Sequence, residues 1–200
     1  YTEREYQQLV GLYRERGEEG LWDALTHFLR AVIPVAEEED VWMGLHPDDP
    51  AFNVRARPRI VKDGAALKRV VEIVPSPSNG ITFCPGSLAT NRGNDVLAIA
   101  EDLWPHFVFC HFRNIRFLWD GDWNGETAFL ETYHADEKGA VPIPALLKVL
   151  HGKGCTAPYR ADHAPGMYGQ DLNFGYGLAA RAQGLSYLQG ILDGVTELRL

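Results

Sequence analysis

Residues 80–111 read GITFCPGSLATNRGNDVLAIAEDLWPHFVFCH. The stretch opens on a short apolar run, 80–83, which ends on Cys84 and reads as a buried strand. PGSLATNRG (85–93) has the composition of a loop. Asn94 or Asp95 can cap a helix whose apolar side is Val96, Leu97, Ala100 and Leu103. Pro105 stops that helix, and HFVFCHF (106–112) follows as a second strand. Strand, loop, helix and strand in this order predict a parallel α/β architecture.

The alternation continues in both directions. Upstream, 64–74 reads as a helix through Leu67, Val70, Val71 and Val74, stopped by Pro75 and Pro77. Before it, VWMGL (41–45) is a strand followed by the turn chemistry of HPDDP. Tyr6, Leu9, Val10 and Tyr13 recur at helical spacing. Leu21, Leu25, Phe28, Leu29 and Val32 do so again after a break at 17–20, with Pro34 near the end. Downstream, 113–139 is an excursion too long to be a mere connection, and such loops tend to be functional. A helix over 142–150 begins on proline. CTAPYRAD (155–162) reads as a strand with an awkward Pro158. A last helix spans about 178–192, with Leu185, Leu188, Ile191 and Leu192 on one side. The expected organisation is a helical lead-in, 1–36, then four β–α units over 37–200. Two architectures fit: an open doubly wound sheet, or part of a (β/α)8 barrel. A whole barrel typically takes about 250 residues.

Composition narrows the function. The chain has 200 residues, 46% of them hydrophobic, enough for one domain with a substantial core. With 19 Lys+Arg against 27 Asp+Glu, the net charge of −8 and the lack of a basic stripe argue against nucleic acid. No apolar stretch approaches the roughly 20 residues that cross a bilayer, so no membrane is expected. The charged N-terminus is unlike a signal peptide. Three cysteines, Cys84, Cys110 and Cys155, suit a reducing cytoplasm better than a disulfide framework. The start at Tyr1 suggests part of a longer translation product.

Each of the four strand runs ends on a residue that can bind a metal: His46, Cys84, His111 and Asp162. Ligands of parallel α/β folds bind at the carboxyl ends of the strands. Two imidazoles, a thiolate and a carboxylate there make a mononuclear divalent site. The thiolate tilts it toward Zn, Fe or Co over Mg or Ca. Taken singly, each has a plainer role: Cys84 as core packing, His46 satisfying loop backbone groups, His111 as a partly buried strand residue, Asp162 capping a turn. His163 follows Asp162. Arg160 lies two residues before Asp162 and so shares its strand face. Arg57, Arg59 and Arg113 lie near the same ends and can grip a carboxylate. Glu131 and His134, three apart in the excursion, can reach over the site as a lid or stand as plain solvated residues. Tyr176, in a glycine-flanked loop, can transfer protons or simply pack.

The strings LHPDDP, NGITFCPGS, HFRN, RADH and GYG before AARAQGLSYLQG occur in order between about 31 and 194. Together they resemble the mannonate dehydratase family. The resemblance implies a TIM barrel of the xylose isomerase-like type, of which this chain supplies about the C-terminal half. It implies dehydration of D-mannonate to 2-keto-3-deoxy-D-gluconate in hexuronate catabolism, with Mn2+ or Fe2+ as cofactor. Carried over by motif, His46, Cys84, His111 and Asp162 are the metal ligands, and His163 and Tyr176 handle protons. Arg59, Arg113, Arg160 and His134 are expected at the substrate. The family pattern Phe-His-Glu is here Phe129, Leu130, Glu131. The expected partner is a sugar acid, with self-association left open. The competing expectations are a metal-dependent sugar isomerase on the same barrel and an inactive half-barrel or binding module.

Overall fold

The computed structural model describes residues 2–55, 57–121, 126–167, 169 and 176–198. Gly175, the first residue of the GYG string, lies outside them. Four parallel strands form one sheet among the described residues: β1 (Met43–Leu45), β2 (Asn79–Phe83), β3 (Phe107–Phe112) and β6 (Tyr159–Ala161), in the order β1-β2-β3-β6. Gly44 pairs with Gly80, Phe83 with Cys110 and Phe112 with Ala161. This register brings the carboxyl ends of all four strands to one side. β2 is buried along its whole length, as its unbroken apolar run requires.

The helices between the strands cover the sheet. α2 (Gly64–Ile73) is capped by Asp63, whose side chain accepts from Ala66 N. α4 (Val96–Leu103) is capped by Asp95, which accepts from Leu97 N and Ala98 N, so Asp95 rather than Asn94 takes the role. α5 (Ile143–Gly152) starts after Pro142, and α6 (Leu178–Leu198) runs past the expected end at 192. Leu67, Val70, Ala100, Leu146 and Leu188 bring helix faces onto Ile81, Phe83 and Phe112 in one core.

The lead-in is α1 (Glu3–Glu38), two helical stretches meeting at Gly17, whose φ of +64° interrupts the helix. It buries Trp22, Leu29 and Ile33. Pro34 lies inside the helix, earlier than a terminator. Two further differences bear on the site. PGSLA of the expected loop is a short helix, α3 (Pro85–Ala89). The excursion contains an antiparallel hairpin, β4 (Asn114–Phe117) with β5 (Phe129–Thr132), in which Ile115 pairs with Glu131. Pro158 stands just before β6, where its carbonyl accepts from Cys110 N at 2.9 Å and its missing N–H costs nothing.

Candidate metal centre

His46 follows β1 directly, Cys84 follows β2, His111 is near the end of β3 and Asp162 follows β6. The sheet therefore carries all four to one mouth. Among the described residues, ligand atoms of His46, Cys84 and His111 all lie within 4.8 Å of one another. The rings of His46 and His111 have centroids 5.1 Å apart. Asp162 stands beside this group, its Oδ2 3.8 Å from His111 Nδ1. Its Oδ1 accepts from Arg160 at 2.6 Å, the same-face contact that a two-residue strand step gives.

The donor set suits a divalent ion. His46 Nδ1 lies 2.6 Å from Pro47 O. A carbonyl only accepts, so Nδ1 carries the proton and Nε2 keeps its lone pair. His111 Nδ1 is buried without a hydrogen-bond partner. Burial chiefly holds His111 down to about 4, in its neutral, ligating form. Burial also raises the Cys84 thiol to about 11, although Arg113 opposes the shift. A bound cation would favour the thiolate, since a coordinating thiol is deprotonated. Cys84 Sγ lies 3.1 Å from Ser87 Oγ.

Behind this group runs a polar chain. Arg113 is 2% exposed. Its Nε donates to Glu131 Oε2 at 3.1 Å and its Nη2 lies 2.8 Å from Glu131 Oε1, a two-point grip. Its Nη1 donates to Asp49 and, at 3.0 Å, to Ser87 Oγ. Glu131 Oε1 lies 3.3 Å from His163 Nδ1, and His163 Nε2 lies 3.1 Å from Tyr176 Oη. A carboxylate accepts, so His163 carries its proton on Nδ1 and Nε2 accepts from the phenol. Tyr176 is held by the Ala164–Tyr176 bridge and by Gly177 N donating to Ala164 O at 3.2 Å. A Cβ on Gly177 would stand 2.2 Å from Pro165 O, so only glycine permits this approach.

The structure thus brings His46, Cys84, His111, Asp162, His163 and Tyr176 together at the strand ends, with Arg160 half exposed beside them. Arg59 is farther out along the loop after β1, its Nη1 3.1 Å from Asp48 Oδ1. Two residues expected at the substrate are placed otherwise. Arg113 is buried and gripped by protein carboxylates. His134 is 3% exposed, with its Nε2 donating to Phe112 O at 2.9 Å. The same carbonyl accepts from Asp162 N at 2.7 Å, so His134 braces the β3–β6 junction that sets His111 and Asp162. Asp49 and Ser87 were not singled out from sequence. Asp49 sits in the quoted HPDDP and Ser87 three residues after Cys84, but nothing in either string names Arg113 as the shared partner.

A four-stranded parallel sheet with a His/Cys/His group at its carboxyl ends that could hold a metal ion is the architecture of about half of a xylose isomerase-like TIM barrel. A xylose isomerase-like TIM-barrel protein from Mycobacterium smegmatis, solved with magnesium, superposes with a TM-score of 0.62 at 16% identity over 86% of this chain and 51% of that one, a likeness of fold alone. The chain belongs to the D-mannonate dehydratase (UxuA) family, whose model matches residues 2–199. It is 40% identical over 190 residues to the mannonate dehydratase of Enterococcus faecalis, covering 95% of this chain and 52% of the relative. It is 38% identical over 186 residues to that of Bacillus subtilis, covering 93% and 50%. The crystal structure of mannonate dehydratase from Streptococcus suis serotype 2 matches with a TM-score of 0.86 at 34% identity, over 96% of this chain and 54% of that one. The chain therefore spans about half the length of the relatives it matches. No helix among the described residues is long and apolar enough to cross a membrane.

Proposed function

We propose that this chain carries the metal-binding and proton-transfer residues of a mannonate dehydratase, which removes water from D-mannonate to give 2-keto-3-deoxy-D-gluconate. The observation that carries the reading is the His46/Cys84/His111 group with Asp162 beside it, one residue from the His163–Tyr176 pair. Family membership supports the substrate. Mn2+ or Fe2+ is the proposed ion, held by His46, Cys84, His111 and Asp162. The sparse, unpaired cysteines support a cytoplasmic location.

The proton on C2 of a sugar acid is weakly acidic, because its loss places charge on the adjacent carboxylate. A divalent ion, when bound, supplies positive charge against that build-up. His163 Nε2 holds the lone pair that takes the C2 proton. Glu131 fixes the tautomer by accepting from Nδ1, and Arg113 holds Glu131 in turn. The C3 hydroxyl leaves as water only if it gains a proton, which Tyr176 Oη supplies. Because His163 and Tyr176 are in hydrogen-bond contact, the proton taken from C2 can pass from imidazolium to phenolate and restore both groups. Each acid–base role typically supplies about 10²–10⁴ in rate. The enol product then tautomerises to the 2-keto acid. Arg160 and Arg59, both partly exposed, are assigned to the substrate's carboxylate and hydroxyls. Arg113 and His134 act on the protein rather than on substrate.

The test is to supply D-mannonate and Mn2+ or Fe2+ to this chain and to a longer chain carrying it, and to weigh the product. Loss of one water supports the reading. An isomer of unchanged mass, or no turnover by either chain, contradicts it.

A further inference from the structure

Ser87 takes no part in the chemistry above, yet it is wholly buried beside Cys84. It stands on α3, the short helix that Cys84 leads into and whose five residues are all buried. Three residues on, about one helical turn, its Oγ comes back to within 3.1 Å of Cys84 Sγ. Arg113 Nη1 donates to the same oxygen at 3.0 Å, and a guanidinium has no lone pair to offer, so Ser87 Oγ accepts there. Its one hydrogen is left for Cys84. A thiolate only accepts, so with Cys84 as a ligand the bond runs from the hydroxyl to sulfur. The surroundings are built to hold this contact. Asp49 and Glu131 lock the guanidinium. Gly86 lets Arg113 pass over α3, since a Cβ there would stand 2.4 Å from Arg113 Cγ and 2.9 Å from Arg113 O. Thr90 ties the far end of the helix, accepting from Ala51 N at 2.7 Å and donating to Ser87 O at 2.6 Å.

We propose that Ser87 is a positioning residue of the metal centre, a relay that carries the pull of the Arg113 charge to the Cys84 sulfur and fixes the direction in which that sulfur meets a divalent ion. The proposal rests on the reading of His46, Cys84 and His111 as ligands. Arg113 polarises the hydroxyl it donates to, which strengthens the bond that the hydroxyl makes onward. A hydrogen bond to a thiolate lowers the energy of the sulfur lone pairs, so the ligand is both held in place and made less electron-rich. Outer contacts of this kind typically change metal affinity by about 10–100-fold. Among the described residues, Ser87 is the one side chain hydrogen-bonded to Cys84 Sγ, so its loss leaves the sulfur free to turn.

The test reads the sulfur directly. A thiolate bound to Co2+ gives a sulfur-to-metal charge-transfer band, whose energy falls when the sulfur lone pairs rise. Co2+ is titrated into the metal-free wild type, Ser87→Ala and Ala89→Gly, and Zn2+ affinity is measured by competition with a chelating dye. Ser87→Ala removes one oxygen and leaves Arg113 held by Asp49 and Glu131, so it should fold, as circular dichroism checks. Its band should move to longer wavelength and its Zn2+ affinity should fall by about 10–100-fold. Ala89→Gly loosens the same helix without touching the Ser87 side chain, and should keep the wild-type band. A band that fails to move to longer wavelength in Ser87→Ala, an unchanged Zn2+ affinity there, or an equal shift in Ala89→Gly overturns the proposal. A wild type without the band overturns the ligand reading and this proposal with it, so the two failures are told apart.

Discussion

Replacing Arg113 with methionine tests whether the buried guanidinium serves protein or substrate. Methionine keeps much of the side-chain length and removes the charge. Removing one partner of a buried ion pair costs about 3–5 kcal/mol, because the other charge stays buried and unpaired. Glu131, with 18% of its side chain exposed, has little access to water, whereas Asp49, at 31%, can recover some hydration. The expected loss is therefore at the lower end, about 3 kcal/mol, a large part of the roughly 5–15 kcal/mol that holds a domain together. With a urea slope of about 2 kcal/mol per molar, the midpoint falls by about 1.5 M. Glu131→Gln should cost less, and the double variant should lose less than the sum of the singles, by about 0.5–3 kcal/mol. In turnover, Arg113→Met should lower kcat through the loosened Glu131–His163 contact and leave KM for the sugar acid nearly unchanged. A midpoint shift under about 0.3 M, or a raised KM at wild-type kcat, would refute the placement.

Three further outcomes follow from the geometry. Tyr176→Phe should keep its bound metal and lose about 10²–10⁴ in kcat, measured by turnover beside metal analysis, since only the proton donor is removed. Gly184→Ala places a Cβ 2.3 Å from His134 Nδ1. Overpacking of about 1–3 kcal/mol should outweigh the helix-propensity gain of about 1 kcal/mol, and thermal unfolding should show a lower midpoint. Asp136 is held down to about 2, first by Arg116 and then by Thr132 and Lys138 N–H, against an ordinary value of 3.8. Its folded value is depressed, so its contribution is present above about pH 4 and is lost as pH falls toward 2. Asp136→Asn should then be less stable than wild type at neutral pH by about 1 kcal/mol, a figure reduced for the solvent-exposed Arg116. The gap should close by about pH 2 in acid unfolding curves.

The four strands were legible because buried parallel strands read as short unbroken apolar runs, and each here ends on a polar side chain at the mouth. Strand alternation alone places Arg160 on the face of Asp162, where the two side chains meet. The hairpin inside 113–139 was not legible. Asn114–Phe117 and Phe129–Thr132 carry a mixed pattern and are separated by more than a tight turn, so periodicity offers no pairing. The role of Arg113 was hidden for the same reason. Its partners Asp49, Ser87 and Glu131 lie 64, 26 and 18 residues away and converge only once β1, α3 and β5 are in place. His134 looked like a lid residue because spacing from Glu131 says nothing of burial. Gly184 of α6 is what lets the helix close over its ring.

Cobalt is the sharpest probe of the shared centre, since a thiolate bound to Co2+ gives a charge-transfer absorption that nitrogen and oxygen ligands lack. Titrated into the metal-free protein, Co2+ should raise that band and saturate it at one ion per chain, and Cys84→Ser should abolish the band. Cobalt that binds without the band, or a band that survives Cys84→Ser, would mean that no ion sits among His46, Cys84 and His111.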